Sequence, residues 1–287
     1  MEIIGHQKQW QFLKKSAESQ KISHAYLFSG QEKLGKKKVA LEFIKLINGA
    51  ESLKSPDLIL IEPEKKEIKI FQIRELIQKL SLKPYSALFK IAIIDKADLM
   101  TNQAQSALLK TLEEPKSKTL LILISEKPDM LFLTIRSRCE IIKFFPVRET
   151  EIKKYLREKG LSEETSNFCL GKPGEAIDFI SNPQKLEEKK RIIKNLIKLS
   201  SSELVFRFQC AKDLSNQLDL KEVLEVWLLY FRNTLLTRVI AKDKNEDLVS
   251  SFTRLKNIIN QIQKTIFLLT TTNINPRLAL EVLMLEL

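Results

Sequence analysis

Cysteine is scarce in this chain of 287 residues: three in all, Cys139, Cys169 and Cys210, scattered and in no C-x-x-C pair. An odd, dispersed set argues against a disulfide framework and against a zinc site, and it points to a reducing, cytoplasmic setting. Glycine and proline are also few, 7 and 9, which excludes collagen-like and low-complexity classes. No apolar run approaches the roughly 18 residues that a membrane-spanning helix needs, so no membrane partner is expected. The start, MEIIGHQKQW, lacks a basic stretch followed by an apolar one, so secretion is not expected.

What the chain has instead is charge. Its 48 Lys and Arg against 36 Asp and Glu give a formal net of +12. Residues 1–146 hold 25 basic and 17 acidic groups, residues 147–184 hold 6 and 7, and residues 185–287 hold 17 and 12. The excess therefore lies at the two ends, with a neutral middle. Such a surface favours polyanions, because Lys and Arg release counterions on approaching phosphate. A stand-alone basic nucleic-acid-binding protein fits this feature, and so does a merely soluble basic one. With 44% hydrophobic residues the chain can bury a core, and its length corresponds to about two domains.

Apolar runs recur at Ala25–Phe28, Leu58–Ile61, Ile91–Ile94, Leu120–Ile124 and Ile141–Phe145. They are short and nearly continuous rather than alternating, as strands buried on both faces of a parallel sheet read. Between them lie helical stripes, Ile73, Leu76, Ile77 and Leu80 within Gln72–Leu82, and Ala104, Ala107, Leu108 and Leu112 within Asn102–Glu114. Strand–helix alternation predicts an α/β domain over residues 1–146. After Phe145-Pro146 the texture turns helical. Short helices are expected at Glu151–Glu158 and Glu175–Ile180, with a break at Gly171-Lys172-Pro173-Gly174. Asn182-Pro183 marks a turn. Longer helices are expected at Lys185–Leu199, Ser202–Leu214, Lys221–Ala241, Leu248–Leu269 and Pro276–Leu287. The division is thus 1–146, 147–184 and 185–287.

Gly30-Gln-Glu-Lys-Leu-Gly35-Lys36-Lys37 follows the first apolar run and precedes the helical pattern Val39–Ile47. That is the setting of a phosphate-binding loop: backbone N–H groups of a Gly-rich turn, a helix N-terminus and a lysine. The G-x-x-x-x-G-K spacing is complete. The next position, where Ser or Thr would ligate Mg²⁺, holds Lys37, and an ammonium cannot ligate a cation. Lys36, Lys37 and Lys38 also crowd the positive end of a helix dipole, at about 0.3–1 kcal/mol each unless an anion or carboxylate answers them. The loop reads as degenerate, with weak or no nucleotide binding. Ile91–Asp95 is an apolar strand ending in a carboxylate, the layout of a Walker B strand, although a strand ending at an ordinary surface acid reads alike. Lys96 follows, and while charged it cannot act as a base. Thr134-Ile-Arg-Ser137-Arg138-Cys139 is, by itself, a few polar residues before a strand.

His24-Ala-Tyr-Leu-Phe-Ser-Gly30 with the loop after it, Ser106-Ala-Leu-Leu-Lys-Thr-Leu-Glu-Glu-Pro115, Thr134–Cys139 and Asn275-Pro-Arg-Leu-Ala-Leu-Glu281 occur in this order. Together they resemble the bacterial DNA polymerase III clamp-loader subunits over nearly the whole chain, and the delta-prime type more than the gamma/tau ATPase. The resemblance implies a RecA-like AAA+ domain with a parallel sheet, a small helical lid and an all-α collar through which five subunits form a ring. It implies gamma/tau and delta subunits as partners, and a sliding clamp loaded on primed DNA through the assembled complex.

Active ATPases of this family end the loop in Ser or Thr, carry a glutamate after the Walker B aspartate and present a lid arginine. This chain has Lys37, Lys96 and Glu175 at those places. Asp95 is then a remnant, and the resemblance implies a subunit without hydrolysis of its own. ATP is expected on neighbouring subunits, reached in trans by Arg138 of the Ser137-Arg138-Cys139 motif. The competing readings make Arg138 a structural residue paired with an acid such as Glu140, a solvated one, or the whole chain a gamma-type ATPase with an atypical loop. Family members usually carry four zinc-binding cysteines between loop and Walker B strand. This chain has none between Gly30 and Asp95, so no zinc is expected. In the collar, Val223, Val226, Trp227, Tyr230 and Phe231 are candidates for subunit contacts, with the bundle's own core as the alternative for Trp227.

Overall fold

The five apolar runs form one five-stranded sheet: β1 (Ala25–Ser29), β2 (Leu58–Ile61), β3 (Lys90–Ile94), β4 (Thr119–Ser125) and β5 (Glu140–Lys143). This is a computed structural model, and it describes residues 3–115, 118–216, 219–240 and 247–287. The strand order is β2-β3-β4-β1-β5, and every neighbouring pair is parallel. Parallel neighbours require crossovers, and the helical stripes supply them. After α1 (Gln7–Glu18), which the sequence reading did not anticipate, α2 (Lys36–Asn48) follows β1. Next, α3 (Ile70–Leu80) follows β2 and α4 (Asn102–Glu113) follows β3, while α5 (Leu133–Arg136) is a single turn between β4 and β5.

Successive side chains of a strand point to opposite faces, and the two cores follow that rule. Ala25, Leu27, Ala92, Ile94, Leu121 and Leu123 pack with Ile73, Leu76, Leu108 and Leu112 of α3 and α4. Tyr26, Phe28, Ile91, Ile93, Leu120 and Ile122 pack on the other side with Leu13, Val39, Phe43 and Ile44 of α1 and α2. Each fully buried Leu, Ile or Phe stabilises the fold by about 1.5–3 kcal/mol. The expectation of burial on both faces holds for β1 and β3, and for β4 beyond its first residue, but not for the edges. Leu60 of β2 and Ile141 of β5 are exposed, because an edge strand has one neighbour and the helices cover the middle of the sheet.

The remaining helices are α6 (Glu149–Glu158), α7 (Pro173–Ser181), α8 (Pro183–Ser200), α9 (Leu204–Ser215), α10 (Leu220–Ile240), α11 (Asp247–Thr271) and α12 (Pro276–Glu286). The expected end of α10 at Ala241 lies outside the described residues. The break expected at Gly171-Lys172-Pro173-Gly174 separates α7 from what precedes it, but Pro173 already belongs to the helix. It starts α7, where a missing N–H costs nothing. By contacts the chain divides into Met1–Ile177 and Asp178–Leu287, a division that falls within α7. In the second unit α10 packs on α8 and α11, and α12 on α9 and α11. Leu196, Leu224, Ile258, Ile262, Leu280 and Leu283 form its core, and Val223, Trp227 and Phe231 belong to that same core. Val226 is buried and Tyr230 half-buried, so the stripe offered for subunit contacts serves the bundle's own interior.

Candidate functional site

The loop between β1 and α2 brings Gly30, Gly35, Lys36 and Lys37 to the carboxyl ends of the strands, where open α/β sheets hold ligands. At Gly30, φ is 147° and a Cβ would stand 2.4 Å from the Phe144 carbonyl oxygen. Gly35 precedes α2 in the left-handed region, φ 86°, with open space around it, so its demand is conformational alone. A cleft of about 250 Å³ lies here, lined by Lys36, Lys37, Asp95, Lys96, Ser125 and Glu126 among others.

The lysines around this cleft are answered from within the chain. Lys36 is buried, and its Nζ donates to the carbonyl oxygens of Gly30 at 2.5 Å and Gln31 at 2.6 Å. Burial holds its ammonium below the ordinary lysine range, against the pull of Glu126, Asp95, Asp98 and Glu32. Lys37 Nζ bonds Glu62 Oε1 and lies 3.2 Å from Asp95 Oδ2. Partial burial alone would lower its pKa, but the hydrogen bonds and charges of Glu62 and Asp95 together raise it. Lys96, at φ 52°, pairs with Glu32 at 3.1 Å, and that carboxylate raises its pKa. Lys33 pairs with Glu175 at 2.8 Å, while the Gly174 N–H donates to the Lys33 carbonyl at 2.8 Å.

A magnesium-bound nucleotide needs oxygen ligands at the helix start and at the strand end. Here the Lys37 ammonium stands at the first and is paired with the second, Asp95, whose Oδ1 also accepts the Lys96 N–H at 3.0 Å. The residues present do not fit a divalent cation. Ser125 Oγ and Glu126 Oε1, in the same cleft, are buried and have no hydrogen-bond partner among the described residues. Neither residue stands out in the sequence, because they are the first residues of a short polar stretch, Ser125-Glu126-Lys127, just past an apolar run.

Ser137 and Arg138 are not part of the cleft lining. Ser137 Oγ donates to the Thr134 carbonyl at 3.2 Å, closing the turn of α5. Arg138 Nη1 donates to the same carbonyl at 3.0 Å, and Nη2 lies 2.9 Å from Glu113 Oε1. Its acid partner is thus Glu113, at the end of α4, and not Glu140. The pair is partly open to solvent, the two side chains being 35% and 48% exposed, so the guanidinium can be released at small cost. Arg136 is tied separately to Asp129 at 2.6 Å.

Two positioning residues escaped sequence reasoning. Gln105 is buried on α4 and donates to the carbonyls of Met100 at 3.2 Å and Met130 at 3.1 Å, while its Oε1 accepts the Phe132 N–H at 2.8 Å. It thereby fixes the turn before α5, and with it the base of the Ser137-Arg138 motif. Glu62, the carboxylate that completes the Lys37 pairing, directly follows β2. Its signal was its place: a carboxylate at the carboxyl end of a parallel strand beside β3.

Comparison with known proteins shows what the chain is similar to. A family model described as DNA polymerase III, delta subunit, matches residues 5–148. Over 198 residues the chain is 34% identical to DNA polymerase III subunit delta' of Bacillus subtilis, covering 62% of this chain and 60% of that one. Over 172 residues it is 29% identical to DNA polymerase III subunit tau/gamma of Haemophilus influenzae, covering 54% and 25%. The matched stretches thus span less than two thirds of either relative. Among solved structures, a DNA polymerase III gamma subunit-related protein from Thermotoga maritima matches at TM-score 0.47 and 18% identity, covering 96% of this chain and 97% of that one. By the family match over half its length, this chain belongs to the family described as DNA polymerase III, delta subunit.

Proposed function

We propose that this chain is a delta-prime-type subunit of a replicative clamp loader, a stator that does not hydrolyse ATP and that supplies Arg138 to a neighbour's nucleotide. The observation that carries the reading is the closed ion-pair set of the cleft, Lys37 on Glu62 and Asp95 and Lys96 on Glu32. The carboxylates of Glu62, Asp95 and Glu32 are answered by lysines of the chain itself, while Glu126 Oε1 has no partner among the described residues. Arg138, by contrast, is held by one carboxylate and one carbonyl at a partly open surface.

In this reading 147–184 is the lid and 185–287 the collar. ATP sits on gamma/tau-type neighbours, and the sliding clamp and primed DNA are engaged through the complex. Arg138 would neutralise charge developing on the γ-phosphoryl group as it leaves, an effect worth roughly 10³–10⁵ in rate where such arginines act in other systems. Two experiments test the reading. Co-expression with gamma/tau- and delta-type subunits, followed by native mass measurement, should give one hetero-oligomer containing this chain. The isolated chain with ATP and Mg²⁺ should show no turnover. A chain that stays monomeric beside both subunits, or that turns over alone, contradicts it.

A further inference from the structure

The cleft at the carboxyl ends of the strands is lined by four lysines, Lys33, Lys36, Lys37 and Lys96, and three acids, Glu32, Asp95 and Glu126. Every lysine is committed elsewhere. Lys33 pairs with Glu175, Lys37 with Glu62 and Asp95, and Lys96 with Glu32, while the carbonyls of Gly30 and Gln31 draw the Lys36 ammonium into its own loop. Glu32 and Asp95 are thereby paired. Glu126 is not, and its Oε1 is buried with no hydrogen-bond partner among the described residues. A carboxylate oxygen taken out of water without a hydrogen bond is costly, so an attraction inside the cleft holds it there. The place of Glu126 shows its source. Glu126 directly follows β4, which lies between β3 and β1 in the sheet. It therefore stands between the strand end that carries Asp95 and the strand that enters the phosphate loop. Its backbone is fixed there, since its N–H donates to Asp98 Oδ1 at 3.0 Å and the Gly30 N–H donates to the Ser125 carbonyl at 3.2 Å. Gly35, Lys36 and Lys37 bring the start of α2 to the same cleft, and the first turn of α2 contains no acid to answer its dipole. Burial lowers the Lys36 pKa, and Glu126 is foremost among the carboxylates that oppose this.

We infer that Glu126 is the internal anion of this cleft: its carboxylate answers Lys36 and the start of α2 in place of a bound phosphate, and it refuses a diphosphate group with or without a metal. Lys37 bars the metal and Glu126 bars the phosphates, so two residues refuse the two halves of a nucleotide's charged end. Relief of either one strengthens binding. With the Glu126 charge removed, Lys36 and the start of α2 are left without an anion, and the cleft takes a diphosphate without metal. The inference rests on the proposed function in one respect, that the unaltered cleft holds no Mg²⁺–ATP, but its test uses neither hydrolysis nor Arg138.

The probes are pyrophosphate and ADP, each with EDTA and no metal, titrated calorimetrically into the full chain. The unaltered chain should show no saturable binding of either. Glu126→Gln keeps the shape and removes the charge. It should bind both saturably, at least about tenfold above the limit set by the unaltered chain, as expected when one like charge at close range is lifted. Glu126→Ala should do the same, so the answer does not hang on one variant, and thermal unfolding checks that each is folded. Glu126→Asp keeps the charge and should bind no better than the unaltered chain. Hydrogen exchange across residues 31–38 should slow on adding pyrophosphate to Glu126→Gln and not to the unaltered chain, which places the anion on the loop. Equal binding by the unaltered chain and both neutral variants, binding by none of them, or protection confined to other segments overturns the inference. So does binding by Glu126→Asp as tight as by Glu126→Gln. Turnover of ATP by the unaltered chain overturns the proposed function instead.

Discussion

Lys37 Nζ lies 3.2 Å from Asp95 Oδ2, so the residue at the metal-ligand position of the phosphate loop closes an ion pair onto the carboxylate at the end of β3. A tethered ammonium there does what a divalent cation would do for the carboxylate, and it bars one from entering.

Lys37→Thr should therefore admit Mg²⁺–ATP. Removing one like charge at such a distance changes binding by a few kcal/mol at an effective dielectric near 20, so a gain of about tenfold or more is expected. Calorimetry with and without Mg²⁺ reads it. Because Lys37 and Glu62 are each more than a third exposed, the variant should lose no more than about 1 kcal/mol of stability. Turnover should stay absent, since Lys96 still stands where a base is needed. Equal Mg²⁺–ATP binding by the unaltered chain and the variant would show that this ion pair is not the block.

Asp57 is buried, and its carboxylate accepts the N–H groups of Tyr85 at 2.8 Å, Ser86 at 2.9 Å and Ala87 at 3.1 Å, with Lys90 4.0 Å away. Burial alone would raise its pKa, but those N–H donors and Lys90 outweigh it and hold the carboxyl below its ordinary range. The folded pKa is thus lower than the unfolded one, near 3.9. Its stabilisation is fully present above that value and is lost as pH falls from there through the folded pKa. Asp57→Asn should cost about 2–4 kcal/mol at pH 7 and flatten the decline below pH about 4. Urea unfolding at a series of pH values measures both. An unchanged acid slope would remove Asp57 from the account.

Gln105→Ala should cost about 1–3 kcal/mol, because it leaves the half-buried Phe132 N–H and two carbonyls without their partner. The loss should be local. Hydrogen exchange should rise first in 128–139, the segment that carries Arg138, while β1 and β3 keep their protection. Uniform loss across the sheet would mean that Gln105 supports the fold and not the motif.

Much of the first unit was legible because parallel strands and amphipathic helices write their burial into local pattern. The five strands and the helices between them follow from runs of Ile and Leu and from three- and four-residue stripes. α1 escaped: of its residues only Leu13 is buried, so no stripe marks it. The degenerate loop was legible as a motif, since Gly30, Gly35, Lys36 and Lys37 are adjacent in the chain. Their partners were not. Glu32 lies in the loop itself, but Glu62 and Asp95 come from two different strands, and only the β2–β3 register brings them to Lys37. Glu113 lay inside a recognised motif, yet nothing in its spacing links it to Arg138 across 25 residues of chain. The stripe on α10 shows the converse. Val223 and Phe231 read as surplus surface, and Trp227 as either that or core; the unit's own core absorbs all three.

If the Arg138–Glu113 pair parks the guanidinium between encounters, Glu113→Gln should free it. The variant's complex should keep or modestly exceed the unaltered rate of ATP hydrolysis, up to about fivefold for a pair worth up to 1 kcal/mol. A rate that falls as far as that of Arg138→Ala would show that Glu113 belongs to the working arrangement.

The most direct measurement is the clamp- and DNA-stimulated ATPase of the reconstituted complex, with this chain unaltered, as Lys36→Met or as Arg138→Ala. If the chain completes a neighbour's site and runs none of its own, Lys36→Met should leave the rate within about twofold. Arg138→Ala should lower it with assembly intact, and Arg138→Lys should restore little, since an ammonium lacks the planar fork. A complex that loses hydrolysis with Lys36→Met and keeps it with Arg138→Ala would contradict the account.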